Sequence, residues 1–180
     1  MKINLGCGYK TFKGYVNIDY IPGKGVDKIM DLDNYPWDIE SNVVDEIYCD
    51  NIVEHLDFAK TTKEIHRILK KGGIAIIKVP YFSNPGAFFA DHKCFFNFYS
   101  YDKYCTNMSY DNMDIAEPFF ELITRKITFF YEYQKGINKF LLMIFYMLPK
   151  IFYTINPKLY IRLFSYIFPA SEIHWKLKKI

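Results

Sequence analysis

The chain has 180 residues and a mass of 21.5 kDa, the size of one domain. Apolar residues make up 51% and charged residues 24%, a composition that excludes a disordered chain and is typical of a globular protein. The net charge of +3 is unevenly divided: residues 1–120 carry 13 Lys and Arg against 17 Asp and Glu, and residues 121–180 carry 10 against 3. The basic end indicates either an anionic partner or an apolar tail that Lys and Arg keep soluble.

Short apolar runs alternate with turns over the first 80 residues. Runs at 3–5, 15–18, 26–30, 43–49 and 74–79 predict five β-strands, which end at Gly6, Asp19, Asp31, Asp50 and Pro80. Residues 59–70 place Ile65, Ile68 and Leu69 on one face and so predict a helix, with Gly72 and Gly73 as its C-cap. Apolar strands that alternate with crossover segments indicate a parallel sheet in an α/β fold.

The second half has a different pattern. Residues 81–118 are aromatic and rich in turn formers, which predicts more loop than regular structure. A long strand is predicted at 121–133 and a terminal strand at 172–179. Between them, helices are predicted at 137–148 and near 158–168, the first ended by Pro149 and the second preceded by Asn156 and Pro157.

The motif NLGCG at 4–8 follows the first predicted strand. Glycine there lets the backbone approach a ligand closely. A dinucleotide fingerprint would need a third glycine at position 11 and an acidic residue about 20 further on. Position 11 is Thr, and Asp19 comes 11 residues after Gly8. This spacing disfavours NAD or FAD and with them a nucleotide-binding oxidoreductase, and a P-loop is excluded because no GKS or GKT follows.

Five segments occur in register between Lys2 and about Pro80: NLGCG, GYVNID, a short DL step, NIVEHL, and EIHRILKKGG leading into IAIIKVP. In this order and spacing they resemble class I S-adenosylmethionine-dependent methyltransferases of the methyltransferase type 11 kind. The resemblance implies a Rossmann-like, doubly wound α/β fold, with a mostly parallel seven-stranded sheet, an antiparallel last strand and a helical insertion before it. It implies one domain over 1–180, in which 1–80 bind the cofactor and 81–180 face the acceptor.

The resemblance also implies a cofactor, S-adenosylmethionine, with S-adenosylhomocysteine as product. Asp19 would accept hydrogen bonds from the ribose hydroxyls, since a carboxylate suits a vicinal diol. The alternative is that Asp19 only caps a turn. Asp31 and Leu32 would border the adenine, with Asp33 as a rival for the polar role. The implied cofactor-binding residues are Asn4, Gly6, Cys7, Gly8, Asp19, Tyr20, Asp31, Leu32, Asn51, Ile52 and His55.

The resemblance places Glu54 and His55 near the reacting centre, and Asp91-His92-Lys93 is similar to a DHK-aromatic step in relatives. His55 and His92 are the candidate general bases for a hydroxyl acceptor, whereas a neutral amine needs only positioning. Alternatively, Glu54 and His55 cap or orient the next helix and His92 makes a structural hydrogen bond. No metal site is predicted, because the four cysteines form no CxxC pair and have no zinc-like spacing with the histidines.

The predicted function is the transfer of a methyl group to an oxygen or nitrogen of a small-molecule or glycan-type acceptor. The alternative is a catalytically inactive scaffold of the same fold that binds the cofactor or a partner. No nucleic-acid partner is expected, since no NPPY-type motif follows the fourth strand and no RNA-binding module is visible.

The predicted insertion, about 134–168, is longer than the hairpin that joins the last two strands in the family. Its nearly all-apolar helices favour a lid over the site or a homodimer contact. Peripheral membrane contact through 137–168 is the third interpretation, supported by Lys139, Lys150, Lys158 and Arg162. The longest apolar run has nine residues, whereas a membrane span needs about 20. The expected location is cytoplasmic, with or without contact to a membrane surface.

Overall fold

The computed structural model describes residues 1–106 and 119–180. Its strands are β1 (Lys2–Leu5), β2 (Val16–Asp19), β3 (Lys28–Ile29), β4 (Val44–Asp50), β5 (Leu69–Pro80), β6 (Phe120–Phe129) and β7 (Ala170–Lys179). They form a seven-stranded sheet of order β3-β2-β1-β4-β5-β7-β6. Strand β7 is antiparallel to both of its neighbours, and the other pairs are parallel. The predicted α/β fold with an antiparallel last strand is confirmed.

The helices are α1 (Phe58–Ile68), α2 (Gly136–Phe145), α3 (Met147–Ile155) and α4 (Pro157–Leu159), and α4 continues into a π-helical turn at Tyr160–Phe164. Short 3₁₀ turns lie at Val53–His55, Pro85–Phe88, Asp102–Tyr104 and Phe130–Tyr133. Helix α1 connects β4 to β5. The connections from β1 to β2, from β2 to β3 and from β3 to β4, all of which the structure describes, contain no α-helix and are loops. The short first crossover leaves the carboxyl edge of the sheet open.

The core forms where the apolar strands meet α1 and the aromatic stretch after β5. Ile65 and Ile68 of α1 are buried, as are the sheet residues Leu5 and Ile77. Phe58 of α1 makes edge-to-face contacts with the rings of Phe96, Tyr101 and Tyr104. Offset aromatic contacts of this kind add to the free energy of burial. The high aromatic content of the chain is therefore partly a core property.

The predicted C-cap of α1 is wrong. The helix ends at Ile68, and Leu69 has an extended conformation and already belongs to β5. Gly72 and Gly73 lie inside that strand, beside a register shift of β4 against β5. A Cβ on Gly73 would come within 2.9 Å of the Lys70 carbonyl oxygen and 3.1 Å of the Val44 carbonyl oxygen. Gly73 thus serves a close passage of backbones, whereas Gly72 has a φ of +79° and no atom within 4 Å of a Cβ.

The predicted helix stop at Pro149 is also wrong. Pro149 lies in the first turn of α3, where N–H groups have no partner within the helix, so a residue without an N–H fits. The break falls at Tyr146, which has φ −88° and ψ 0°. The helix predicted near 158–168 is shorter than expected, and the strand predicted to reach Tyr133 ends at Phe129.

Tyrosine hydroxyls attach the segment from α2 to the π-helical turn to β6 and to the residues just before β7. Tyr146 donates to the Pro169 carbonyl (2.8 Å), and Tyr160 donates to the Phe168 carbonyl (2.9 Å). The Tyr153 hydroxyl accepts from the Ile127 amide of β6 (3.0 Å). Among the described residues, no helix has the length and apolar character to cross a bilayer. The predicted loop at 81–118 is confirmed over 81–106, and its remainder lies outside the described residues.

Candidate functional site

The carboxyl ends of β1, β2 and β4 lie side by side, because Leu5 pairs with both Ile18 and Cys49. The strand order reverses here, with β2 on one side of β1 and β4 on the other, and ligands of open α/β sheets bind at such a point. A cleft of about 540 Å³ opens at this edge. It is lined by Gly6, Gly8, Asp19, Tyr20, Ile21, Met30, Asp31, Leu32, Asp33, Asn51, Ile52, His55, Leu56 and Asp91.

Asp19 forms a fixed acceptor group in this cleft. Its side chain ends β2 and is 7% exposed. Oδ2 accepts from the Gly8 amide (2.7 Å), and Oδ1 accepts from the Ile21 amide (3.0 Å). Each carboxylate oxygen keeps a further lone pair. Asp19 therefore does cap a turn, as one interpretation expected, and can still accept hydrogen bonds from a ligand.

The turn after β1 needs glycine at its first position. Gly6 has φ +61°, and a Cβ there would lie 2.7 Å from the Cβ of Ile52. Gly8 has φ +49°, but a Cβ there would meet no protein atom within 4 Å. Gly6 thus lets the NIVEHL segment close over β1, while the backbone at Gly8 faces open space in which a ligand fits.

Two of the predicted cofactor-binding residues lie outside the lining of the cleft. Asn4 is buried, and its Nδ2 donates to the Lys10 carbonyl (2.7 Å) and to Asn17 Oδ1 (3.1 Å). Cys7 is also buried, and burial raises the pKa of its thiol. In this structure both side chains support the turn, and their contact with the cofactor stays a prediction. Nine of the predicted residues line the cleft: Gly6, Gly8, Asp19, Tyr20, Asp31, Leu32, Asn51, Ile52 and His55.

The remaining lining residues were not in the predicted cofactor set. Ile21, Met30 and Leu56 follow or precede predicted positions and supply apolar surface. Asp33, the rival of Asp31, also lines the cleft, and its carboxylate forms an ion pair with Lys93. That pair connects the loop after β3 to the loop that contains Asp91.

The 3₁₀ turn Val53–His55 brings the loop of Asp91 and His92 to the cleft. Asn51, with φ +55°, turns the chain sharply after β4. The Glu54 carbonyl then accepts from the amides of Lys93 (2.7 Å) and Cys94 (3.1 Å). Two segments that are distant in sequence are therefore tied together by their backbones.

Within this corner, His55 and His92 meet edge-to-face with ring centroids 4.6 Å apart. His55 Nδ1 lies 3.3 Å from Asp91 Oδ2, and His92 Nδ1 lies 2.9 Å from the Ala87 carbonyl oxygen. His92 thus makes the structural hydrogen bond that one interpretation expected. The hydrogen bond to the Ala87 carbonyl assigns the His92 proton to Nδ1 and the His92 lone pair to Nε2.

The Glu54 carboxyl is 1% exposed, and neither oxygen has a hydrogen-bond partner among the described residues. Burial raises its pKa to about 7, with an opposing effect of its own backbone amide and smaller upward effects of the charges of Asp50, Glu172 and Asp91. It does not cap α1, because Asp57 Oδ1 accepts from the Lys60 amide (2.9 Å) at that position. A buried polar group without a partner marks a functional candidate.

Comparisons with known proteins agree with this geometry. A family model described as a methyltransferase domain matches residues 21–77. No curated protein matches the chain.

Several solved structures share the fold over 99% of this chain. A methyltransferase of Haloferax volcanii, in complex with the Trm112 activator, has 13% identity, 81% coverage of its own chain and a TM-score of 0.57. An S-adenosylmethionine-dependent methyltransferase of Archaeoglobus fulgidus has 14% identity, 85% coverage of its own chain and a TM-score of 0.57. Geranyl diphosphate C-methyltransferase of Streptomyces coelicolor has 11% identity, 71% coverage of its own chain and a TM-score of 0.55. The family match over residues 21–77 agrees with the resemblance found in the sequence, and the solved structures show the same fold.

Proposed function

We propose that this chain, which has the fold of class I S-adenosylmethionine-dependent methyltransferases, binds S-adenosylmethionine in the cleft at the carboxyl edge of its sheet. It transfers the methyl group to an oxygen or nitrogen of a small-molecule or glycan-type acceptor. The main support is the Asp19 carboxylate, held by the amides of Gly8 and Ile21 at the point where the strand order reverses. When bound, the cofactor supplies an electrophilic methyl group on a positively charged sulfur.

The residues of the cleft fit this cofactor. Asp19 has lone pairs for two ribose hydroxyls. Asp31 and Leu32, after β3, provide a carboxylate for the adenine amine and an apolar surface for the ring. The backbone of the Gly6–Gly8 turn borders open space for the methionine part. The carboxylates that line the cleft favour a cationic ligand.

The acceptor is proposed to lie beside His55 and His92. Methyl transfer needs the acceptor atom in line with the methyl carbon at about 3 to 3.5 Å, and His55 lines the cleft at its border with the Asp91 loop. For a hydroxyl acceptor, the lone pair of an imidazole Nε2 accepts the proton. An acceptor amine that is already neutral needs no such base.

The insertion is proposed to bind a membrane surface. Its residues lie outside the lining of the cleft, which supports a role other than that of a lid. Fourteen large apolar side chains between Ile137 and Ile167 are exposed. Residues of α2 and α3, among them Met143, Ile144 and Ile151, line an open groove of about 390 Å³. This is far more exposed apolar surface than isolated surface residues account for.

Charge favours an anionic lipid surface over a second copy of the chain. Residues 134–168 contain five Lys or Arg and no Asp or Glu. In a twofold dimer through this face, cations of one copy would face cations of the other. Interfacial helices that combine apolar and basic residues bind anionic bilayers. A membrane surface would bring the cleft close to acceptors that are held there.

Calorimetric titration of S-adenosylmethionine and S-adenosylhomocysteine tests the proposed function. We expect saturable binding to the wild type and at least a tenfold loss, about 1.4 kcal/mol, in Asp19→Ala. Asp38→Ala, which removes a carboxylate outside the cleft, should bind as the wild type does. Thermal unfolding of each variant confirms that it is folded. Absence of binding to the folded wild type, or equal binding by Asp19→Ala, would contradict the proposal.

An inactive scaffold of the same fold is the alternative, and turnover separates the two. With a panel of hydroxyl and amine acceptors that includes glycans, the enzyme releases S-adenosylhomocysteine in an acceptor-dependent manner. The scaffold binds the cofactor and releases none with any acceptor.

A further inference from the structure

Three side chains beside the cleft converge in a way that the spacing of the sequence does not show. Glu54, His55 and His92 each offer one potential ligand atom, and these atoms all lie within 4.8 Å of one another. Two ligands of one ion at about 2.1 Å lie at most about 4.2 Å apart. Small side-chain rotations therefore suffice to bring the three atoms onto a shared ion.

The Glu54 carboxylate is the strongest sign of a missing ligand. It is 1% exposed, and both of its oxygens lack a hydrogen-bond partner among the residues that the structure describes. A buried charge without a partner is costly, and buried charges are normally paired or coordinate metals. A cation at the centre of this cluster would satisfy both oxygens.

The two imidazoles are oriented as metal ligands are. A coordinating histidine usually donates its second N–H to a carboxylate or a backbone carbonyl, which fixes the tautomer and the ring plane. His55 has Asp91 as its Nδ1 partner, and His92 has the Ala87 carbonyl. The His92 hydrogen bond leaves the lone pair of its Nε2 available for coordination, and the Asp91 carboxylate is placed to orient the His55 ring in the same way.

We infer that Glu54, His55 and His92 form a binding site for a divalent first-row transition metal ion, with Zn²⁺ as the reference ion. Two imidazoles and one carboxylate make up the protein ligands of many catalytic zinc sites, in which a further coordination position stays open. His55 also lines the cleft, so the proposed ion would lie beside the proposed acceptor site.

The role of the ion rests on the proposed function, whereas its binding does not. An acceptor oxygen in the open position would have the pKa of its hydroxyl lowered, and the proton would pass to solvent. The lone pairs of the imidazoles then hold the ion instead of accepting that proton. Glu54 and His92 act as ligands in this form of the site.

Calorimetry with Zn²⁺ on chelator-treated protein tests the site. We expect one ion per chain for the wild type, and a loss of affinity of at least about 100-fold, more than the usual effect of an outer-shell change, in Glu54→Gln and His92→Gln. His66→Gln is the matched control: it makes the same change to an imidazole of α1 that stacks on Phe119. No saturable binding by the wild type, or unchanged binding by both ligand variants, would overturn the inference.

Two further readouts keep folding and function separate. Zn²⁺ should raise the unfolding temperature of the wild type and of His66→Gln but not of folded His92→Gln, and Co²⁺ should give visible absorption bands in the same two proteins. Titration of S-adenosylhomocysteine is carried out in parallel. Zn²⁺ binding without S-adenosylhomocysteine binding overturns the proposed function and keeps the metal site, and the reverse result overturns the metal site alone.

Discussion

Gly6 combines a left-handed backbone conformation with a close contact. Its φ is +61°, and a Cβ would collide with the side chain of Ile52. Gly8 has a similar φ of +49° with open space around it. The two glycines therefore separate the cost of the conformation, about 1 to 2 kcal/mol for a residue with a Cβ, from the cost of the collision.

We predict that Gly6→Ala lowers the free energy of unfolding more than Gly8→Ala does. Gly8→Ala should lower the free energy of unfolding by about 1 kcal/mol, because alanine is unfavourable at the positive φ of this position. Urea unfolding monitored by tryptophan fluorescence measures both values. The double variant Gly6→Ala with Ile52→Ala removes the side chain that the new Cβ would meet. It should therefore recover part of the additional loss in the free energy of unfolding. Equal costs for the two single variants would show that the contact with Ile52 is unimportant.

The residues of the cleft were predictable to the extent that they end strands. Asp19 ends β2 and Asn51 directly follows β4, so the pattern of apolar runs located them. Asn4 was assigned to the cleft because it belongs to NLGCG, but its side chain bonds to Asn17, and no local pattern shows that partner. The meeting of Glu54 with His92 depends on backbone hydrogen bonds between distant segments, which spacing does not reveal.

Helix α1 is joined to the loop before β4 by a charged cluster. Glu64 accepts from the Trp37 amide (2.8 Å), and Arg67 bonds to Glu64 (2.7 Å) and to the Trp37 carbonyl (2.9 Å). Burial raises the pKa of Glu64, but the hydrogen bonds from Arg67 and Trp37 outweigh it, so the pKa lies below its ordinary value of 4.5. The native state therefore favours the ionised form.

We predict that Glu64→Gln lowers the free energy of unfolding at pH 7 by about 1 to 2 kcal/mol. Because the folded pKa is depressed, the contribution of the carboxylate is complete above about pH 4.5 and is lost as the pH falls further. The difference between wild type and variant in urea unfolding should therefore shrink from pH 7 to pH 3. A difference that stays constant with pH would show that the ionised carboxylate contributes nothing.

At the level of elements, the apolar runs predicted which strands exist, and tertiary contacts decided where they end. Strand β5 begins at Leu69, four residues before the predicted glycine cap is complete, because it pairs with Val44 of β4. Pro149 was interpreted as a helix stop, although proline is equally acceptable in a first turn. The actual break lies at Tyr146, whose hydroxyl donates to the Pro169 carbonyl, a contact that the local sequence pattern does not show.

At the scale of the molecule, the cleft and the insertion are separate surfaces of opposite character. The cleft is lined by carboxylates, whereas the insertion is apolar and basic. The parallel sheet and its antiparallel last strand were predictable from the family resemblance. The exposure of the insertion was not, since an apolar helix has the same sequence pattern whether a lid, a partner or a membrane covers it.

We predict that the protein sediments with vesicles that contain anionic lipid and less with purely zwitterionic ones, with a salt-dependent difference. Ile144→Glu in α2 should reduce this binding several-fold, because it places a negative charge on the apolar face. Ile29→Glu is matched in residue type and in exposure, 54% for both side chains, and should bind as the wild type does. Equal loss in both variants, or wild-type binding by Ile144→Glu, would contradict the membrane contact.

Hydrogen–deuterium exchange with saturating S-adenosylhomocysteine shows directly whether the cleft between β1, β2 and β4 holds the cofactor. We predict slower exchange in peptides that cover residues 4–8, 19–33 and 51–56, and unchanged exchange in the insertion. Protection confined to the insertion, or no protection anywhere in the folded protein, would contradict the account.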